Sequence, residues 1–284
     1  MYTSSRSPEP KDYHLIEDFN PALVHKIARY YLPIVEKYHR AEFLGMENIP
    51  DGPFLAAGNH TGVHFMPESM LWLAKYHSDS SRRPMYTLVH DFAYKLAEKI
   101  HLPLHALGIL DAEKSTALEA LCEGCAVTVY PGGDRDNAKS FCDRNKIDFF
   151  GHTGYVRTAL KARVPILPVV GVGGGESVFT LTSGSWLADI TGISTRFKLH
   201  TWPIYWAFPF GWRFGHLPGL GISLPTQVTI SILEPIPTAI YSDDAHTDPA
   251  IVEMLNEQVI KAMQRETDRL VKGRIPVIGR RREG

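Results

Sequence analysis

The sequence predicts an α/β fold with a mixed, largely parallel central sheet flanked by helices. Three observations carry this expectation. Short apolar runs rich in β-branched residues, such as Val164-Pro-Ile-Leu-Pro-Val-Val170, read as buried strands. Segments of helical periodicity fall between those runs, as in layered sheets with helices on their faces. Several runs also end in turns built from glycine, proline or asparagine, at the carboxyl edge where such sheets bind ligands.

Residues 1 to about 13, rich in Ser, Pro and charge, read as a polar, disordered leader. From Pro21 to Tyr38 the residues Leu23, Ile27, Tyr30, Tyr31 and Ile34 recur at helical spacing, with Pro33 expected to kink or interrupt the helix. Ala41 to Gly45 reads as a short strand, Asn48-Ile-Pro-Asp-Gly52 as a turn and Pro53 to Gly58 as a buried strand that delivers Asn59 and His60 at its end. A helix follows from Glu68 to His77, then a polar loop, a strand from Met85 to His90, and helices at 91–100 and 113–123. Cys125 to Tyr130 is a β-branched run stopped by Pro131-Gly132-Gly133, and Val156 to Ala162 is a helix leading into the 164–170 strand and Gly171-Val-Gly-Gly-Gly175. Gln227 to Leu233 alternates as a half-buried strand, and a long helix runs from Asp248, its cap, to Val271, followed by a basic, solvated tail at 274–282. The expected organisation is a leader and N-terminal helix at 1–40 and a single α/β domain at 41–284.

Composition bounds the function. A formal net charge of −1 and a charged fraction of 21% give no global reason to expect a nucleic-acid partner. An odd count of three cysteines and a polar start point to a reducing, cytoplasmic setting. Cys122-Glu-Gly-Cys125 has metal-like spacing but no second pair of ligands. Thr201-Trp-Pro-Ile-Tyr-Trp-Ala-Phe-Pro-Phe-Gly-Trp212 is too short to span a bilayer and is broken by Pro203 and Pro209. Its aromatic residues beside Lys198, His200 and Arg213 fit either a buried, loop-rich segment or contact over 199–222 with a membrane headgroup layer.

Serine hydrolysis lacks its elbow, because neither Gly175-Glu-Ser177 nor Gly221-Ile-Ser223 is followed by the second glycine. Nucleotide binding lacks a complete glycine fingerprint. The stretch Asn59-His60-Thr-Gly-Val-His64-Phe65-Met-Pro-Glu68 is the informative one. His60, His64 and Glu68 would align on a continuous helix as three metal ligands, but Gly62 and Pro67 favour a turn. His60 then stands as a general base, or as an ordinary solvated histidine at a strand end.

Asn59-His60, Tyr130-Pro131-Gly132-Gly133-Asp134-Arg135-Asp136 and Val164-Pro165-Ile166-Leu167-Pro168-Val169 occur in the order of the conserved blocks of the glycerophospholipid acyltransferase superfamily. The sequence resembles that superfamily over about 41–236, near its diacylglycerol acyltransferase branch. The resemblance implies a glycerolipid acyltransferase-like fold and transfer of an acyl chain from acyl-CoA, or a similar thioester, to a lipid hydroxyl. It makes His60 the base and Asn59, Pro131, Gly132, Gly133, Arg135 and Asp136 substrate-binding, with no metal or cofactor. It further implies peripheral contact at the inner face of a membrane. The family places an aspartate where this chain has Phe65, so Glu68 is expected to orient and charge His60, with Asp91 as a more distant alternative.

Overall fold

The computed structural model describes residues 19–280 apart from 64, 91–93, 96, 97, 100, 113 and 217–221. Seven strands form the main sheet: β1 (Glu42–Leu44), β2 (Leu55–Gly58), β3 (Met85–Val89), β4 (Ile109–Asp111), β5 (Ala126–Val129), β6 (Ile166–Val172) and β10 (Thr229–Ile232), in the order β1-β10-β6-β2-β5-β3-β4. From β6 through β4 all neighbours are parallel, while β10 runs antiparallel to β6 and carries β1 with it. The sheet is thus mixed and largely parallel, and β2 lies at its centre. In β2 successive side chains alternate between two buried faces. Leu55 and Ala57 join one core, and Ala56, together with Phe54 just before the strand, joins the other.

Helices cover both faces. On one side lie α3 (Lys114–Cys122), α5 (Gly154–Ala162) and α8 (Pro249–Val271), the last burying Val252, Leu255, Val259 and Met263 at turn-by-turn spacing. Asp248 caps α8 as the sequence indicates, accepting from Ala250 N at 2.8 Å. On the other side lie α1 (Pro21–Tyr38) and α2 (Pro67–His77), packed through Leu32, Leu71, Trp72 and Tyr76. The helix expected at 91–100 falls largely outside the described residues.

Three expectations are corrected. α1 runs unbroken through Pro33, which sits on its exposed side, where the missing hydrogen bond faces water and packing of the opposite side holds the helix together. The aromatic segment is no loop. The strands β7 (Phe179–Thr182), β8 (Ile204–Ala207) and β9 (Gly211–Phe214) make a separate antiparallel sheet, with the short helices α6 (Ser185–Ile190) and α7 (Ile193–Phe197) between β7 and β8. Pro203 and Pro209 flank β8 rather than breaking it. The basic tail is not simply solvated either: β11 (Arg274–Ile275) and β12 (Gly279–Arg280) form a hairpin, and buried Arg274 makes a bidentate pair with Glu176 at 3.0 and 2.9 Å.

Candidate active site

β2 is flanked by β5 and β6, so the chain leaving its carboxyl end enters the crevice between their following turns. His60 sits there, largely buried, with its ring against Tyr130 at a centroid distance of 4.7 Å and an interplanar angle of 66°. Gly58 permits this approach, since a Cβ there would come within 2.8 Å of the Tyr130 ring. The ring opens onto a cavity of about 610 Å³, which the residues Met66, Met70, Leu88, Val129, Tyr155 and Leu199 make largely apolar. Pro131, Gly133, Asp134 and Asn137 border the same cavity beside His60.

The short helix α4 (Gly133–Asn137) ties this crevice together. Asp136, fully buried, accepts the His60 backbone N–H through Oδ2 at 2.8 Å and pairs through Oδ1 with Lys139 Nζ at 2.6 Å. Asn137 O accepts from Val63 N at 3.2 Å, so two bonds fasten the histidine loop to α4. Asp134 Oδ2 accepts from His200 N at 2.5 Å and from Thr201 Oγ1 at 3.1 Å, which fastens α4 to the segment leading into β8. Gly132 has no room for a side chain, because a Cβ would lie 2.3 Å from Asp136 Cβ.

Several expected substrate contacts are therefore holders of the loop. Asn59 donates to Gly171 O at 3.0 Å and accepts from Gly171 N at 2.9 Å, so both ends of its amide clamp β2 to β6 and it does not border the cavity. Gly132 and Asp136 lie behind the cavity wall for the reasons just given. Arg135 is exposed and lies with its guanidinium 5.6 Å from the Phe150 ring centroid, away from the cavity lining. Pro131 and Gly133 are the members of that set that face the space next to His60.

Glu68, expected to orient His60, turns elsewhere. Its buried Oε1 accepts from Thr61 Oγ1, and its carboxyl packs over the end of β6 and the turn after it so closely that a Cβ on Gly174 would fall 1.8 Å from Oε2. Among the described residues no carboxylate oxygen hydrogen-bonds the His60 ring. Phe65, in the family's aspartate position, packs instead with Val63, Val178, Tyr205 and Ala207 and seats the outer sheet on the loop. His64 and Asp91 lie outside the described residues, and among the described residues no three His, Cys, Asp or Glu side chains gather as a metal group. Cys122 and Cys142 are exposed and Cys125 is buried, all three as free thiols.

Burial sets the protonation states. It pushes His60 down to about 4, with the Asp136 carboxylate pulling the other way, the Lys139 ammonium adding to the fall and Asp134 opposing it. The imidazole is neutral at pH 7, with a lone pair available. Burial pushes Glu68 up to about 7, and the Thr61 hydroxyl opposes this. An ordinary Glu titrates near 4.5, so between pH 4.5 and 7 the folded chain holds more protons at Glu68 than the unfolded chain. Stability contributed here falls as pH rises through that window, by up to about 3 kcal/mol. Glu68→Gln removes the titration, so the melting temperature of the variant relative to the parent is expected to rise between pH 5 and pH 8. A parallel pH dependence of the two proteins contradicts this assignment.

Fold and site together define an α/β enzyme with a neutral histidine at the mouth of an apolar cavity. Residues 40–172 match the family model described as Acyltransferase. An uncharacterized protein of Mycobacterium tuberculosis is 31% identical over 257 residues, covering 90% of this chain and 68% of that one. In Gallus gallus, a DGAT1/2-independent enzyme synthesizing storage lipids is 25% identical over 182 residues, 62% of this chain and 51% of its own length. The crystal structure of the 1-acyl-sn-glycerophosphate (LPA) acyltransferase PlsC from Thermotoga maritima superposes with a TM-score of 0.50 at 20% identity, over 88% of this chain and 83% of that one, and shares the fold. The chain belongs to the acyltransferase family.

Proposed function

We propose that the protein moves a fatty acyl chain from an acyl thioester such as acyl-CoA to a hydroxyl of a glycerolipid or lysophospholipid, with His60 as general base. The observation that carries this reading is the neutral His60 ring facing a mostly apolar cavity of about 610 Å³. The ring takes the proton of the acceptor hydroxyl as its oxygen attacks the thioester carbonyl. The tetrahedral adduct collapses, the C–S bond breaks and the imidazolium returns its proton to the thiolate. Asp136 and Asp134 favour the transient imidazolium, which offsets part of the burial that opposes it. Asp136 is a positioning residue that holds the His60 backbone rather than touching substrate. The reaction takes place at the cytoplasmic face of a membrane, where the acceptor resides; exposed free thiols at Cys122 and Cys142 suit that reducing side. Among the described residues no helix is long and apolar enough to cross a bilayer.

Among the described residues no carboxylate bonds the His60 ring, which favours one rival, a relative that binds lipid without turnover. Purified protein supplied with labelled acyl-CoA and a panel of lysophospholipids, diacylglycerol and long-chain alcohols separates the two. Acyl transfer is expected to yield a labelled ester and one equivalent of free CoA thiol. Acyl-chain binding with no ester from any acceptor would establish the rival.

A further inference from the structure

The outer sheet has one face to account for. Its register places Thr180, Tyr205 and Arg213 across from one another on one side, and Phe179, Trp206 and Trp212 on the other, with Ile204 opposite Phe214. The first side is seated, since Thr180, Tyr205 and Ala207 are buried and Tyr205 and Ala207 pack with Val63 and Val178. Among the described residues nothing covers the second: Trp212 is 51% and Phe214 57% exposed, and Phe208 and Phe210 in the intervening turn are exposed as well. Large apolar surface of this kind on a folded chain marks a contact site.

A second apolar stripe lies on α1. Ile27, Tyr30, Tyr31, Ile34 and Tyr38 recur at three- and four-residue steps and are exposed, beside the buried stripe of Val24, Ala28 and Leu32. The two surfaces join. Tyr38 Oη donates to Ser223 O at 2.5 Å, Ile222 N donates to Phe208 O at 2.7 Å, and Tyr31, Tyr38, Met70 and Ile222 line one shallow cleft. Met70 also lines the His60 cavity, so the joined surface reaches the wall of the active site.

Charge selects the occupant. Residues 21–40 carry Lys26, Arg29, Lys37 and Arg40 against the single acid Glu36, and the segment 185–200 that leads into β8 carries Arg196 and Lys198 against Asp189, in a chain whose formal net charge is −1. Aromatic side chains among cations suit the headgroup layer of an anionic leaflet, where rings sit at the interface and Lys and Arg meet lipid phosphates. We infer that the outer face of β7-β8-β9 and the exposed stripe of α1 form one docking surface for an anionic lipid bilayer, which brings the Met70 side of the His60 cavity to the leaflet. The inference rests on the acyl-transfer reading for its purpose, because a membrane lipid is then the substrate presented. The docking itself is independent of turnover.

Cosedimentation with phosphatidylcholine vesicles, and with the same vesicles containing phosphatidylglycerol, tests it without any catalytic readout. The protein is expected to pellet with the phosphatidylglycerol vesicles, less so at high salt. Trp212→Ala/Phe214→Ala is expected to weaken that binding by about tenfold or more, since exposed aromatic residues supply the interfacial contact. Lys26→Gln/Arg29→Gln/Lys37→Gln is expected to erase the preference for phosphatidylglycerol. All these positions are exposed, and an unchanged melting temperature checks that the variants remain folded. The inference is overturned if the parent ignores both vesicles or if the aromatic variant binds as well as the parent. It is also overturned if the aromatic substitutions dissociate a dimer and leave vesicle affinity unchanged, which would make a second copy the occupant. Transfer from a thioester without vesicle binding would remove the docking surface alone, and vesicle binding without transfer would remove the reaction alone.

Discussion

Asp136→Ala is expected to cost about 3–5 kcal/mol, the usual effect of removing one partner of a buried ion pair. The Lys139 ammonium, with 6% of its side chain exposed, would lose the carboxylate 2.6 Å away and remain buried as an uncompensated charge. The His60 N–H would lose its acceptor at the same time. For a chain of this size the melting temperature should fall by roughly 10 °C. Asp136→Asn combined with Lys139→Met removes the orphaned charge and keeps an oxygen for His60 N–H, so it should recover most of the loss. A calorimetric melt within about 1 kcal/mol of the parent for Asp136→Ala would show that the pair does not hold the loop. This carboxylate, 76 residues from His60 in sequence, holds the His60 backbone, whereas Glu68, eight residues on, is the one expected to hold the ring.

The sheet was legible because its strands are short, apolar along both faces and stopped by glycine or proline. Pro53 to Gly58 and Val164 to Val170 needed no more than that pattern to be placed correctly. β4, only three residues long at the sheet edge, carries too little sequence to stand out. The outer sheet was hidden for a different reason. Its segment reads as a buried loop or a membrane contact, while Pro203 stands just before β8 and Pro209 in the turn after it, where a missing N–H does no harm to the ladder. The site divided in the same way. Residues joined by the local turn, His60 at a strand end and Gly132-Gly133 after β5, are where the pattern put them. Glu68, the partner chosen by nearness in sequence, does not bond the His60 ring, because it is drawn against Gly171 and Gly174, a hundred positions away. The Asp136–Lys139 pair had a readable signal in its three-residue spacing with opposite charge. Nothing in sequence said that Asn59 would close on Gly171, or that Arg274 would fold back to Glu176.

The account turns on His60 as the base, and one comparison tests it most directly: the rate of acyl transfer from labelled acyl-CoA by the parent and by His60→Ala, at pH 7.5 with the best acceptor. Loss of a positioned general base typically removes about 10²–10⁴-fold in rate. The substitution leaves the Asp136–Lys139 pair and the backbone N–H that Asp136 binds, so the fold should survive with a melting temperature close to the parent's. A fall of about a thousandfold in turnover by a folded His60→Ala protein is the predicted result. Transfer that continues within about tenfold of the parent would contradict it, and would move the chemistry away from this histidine.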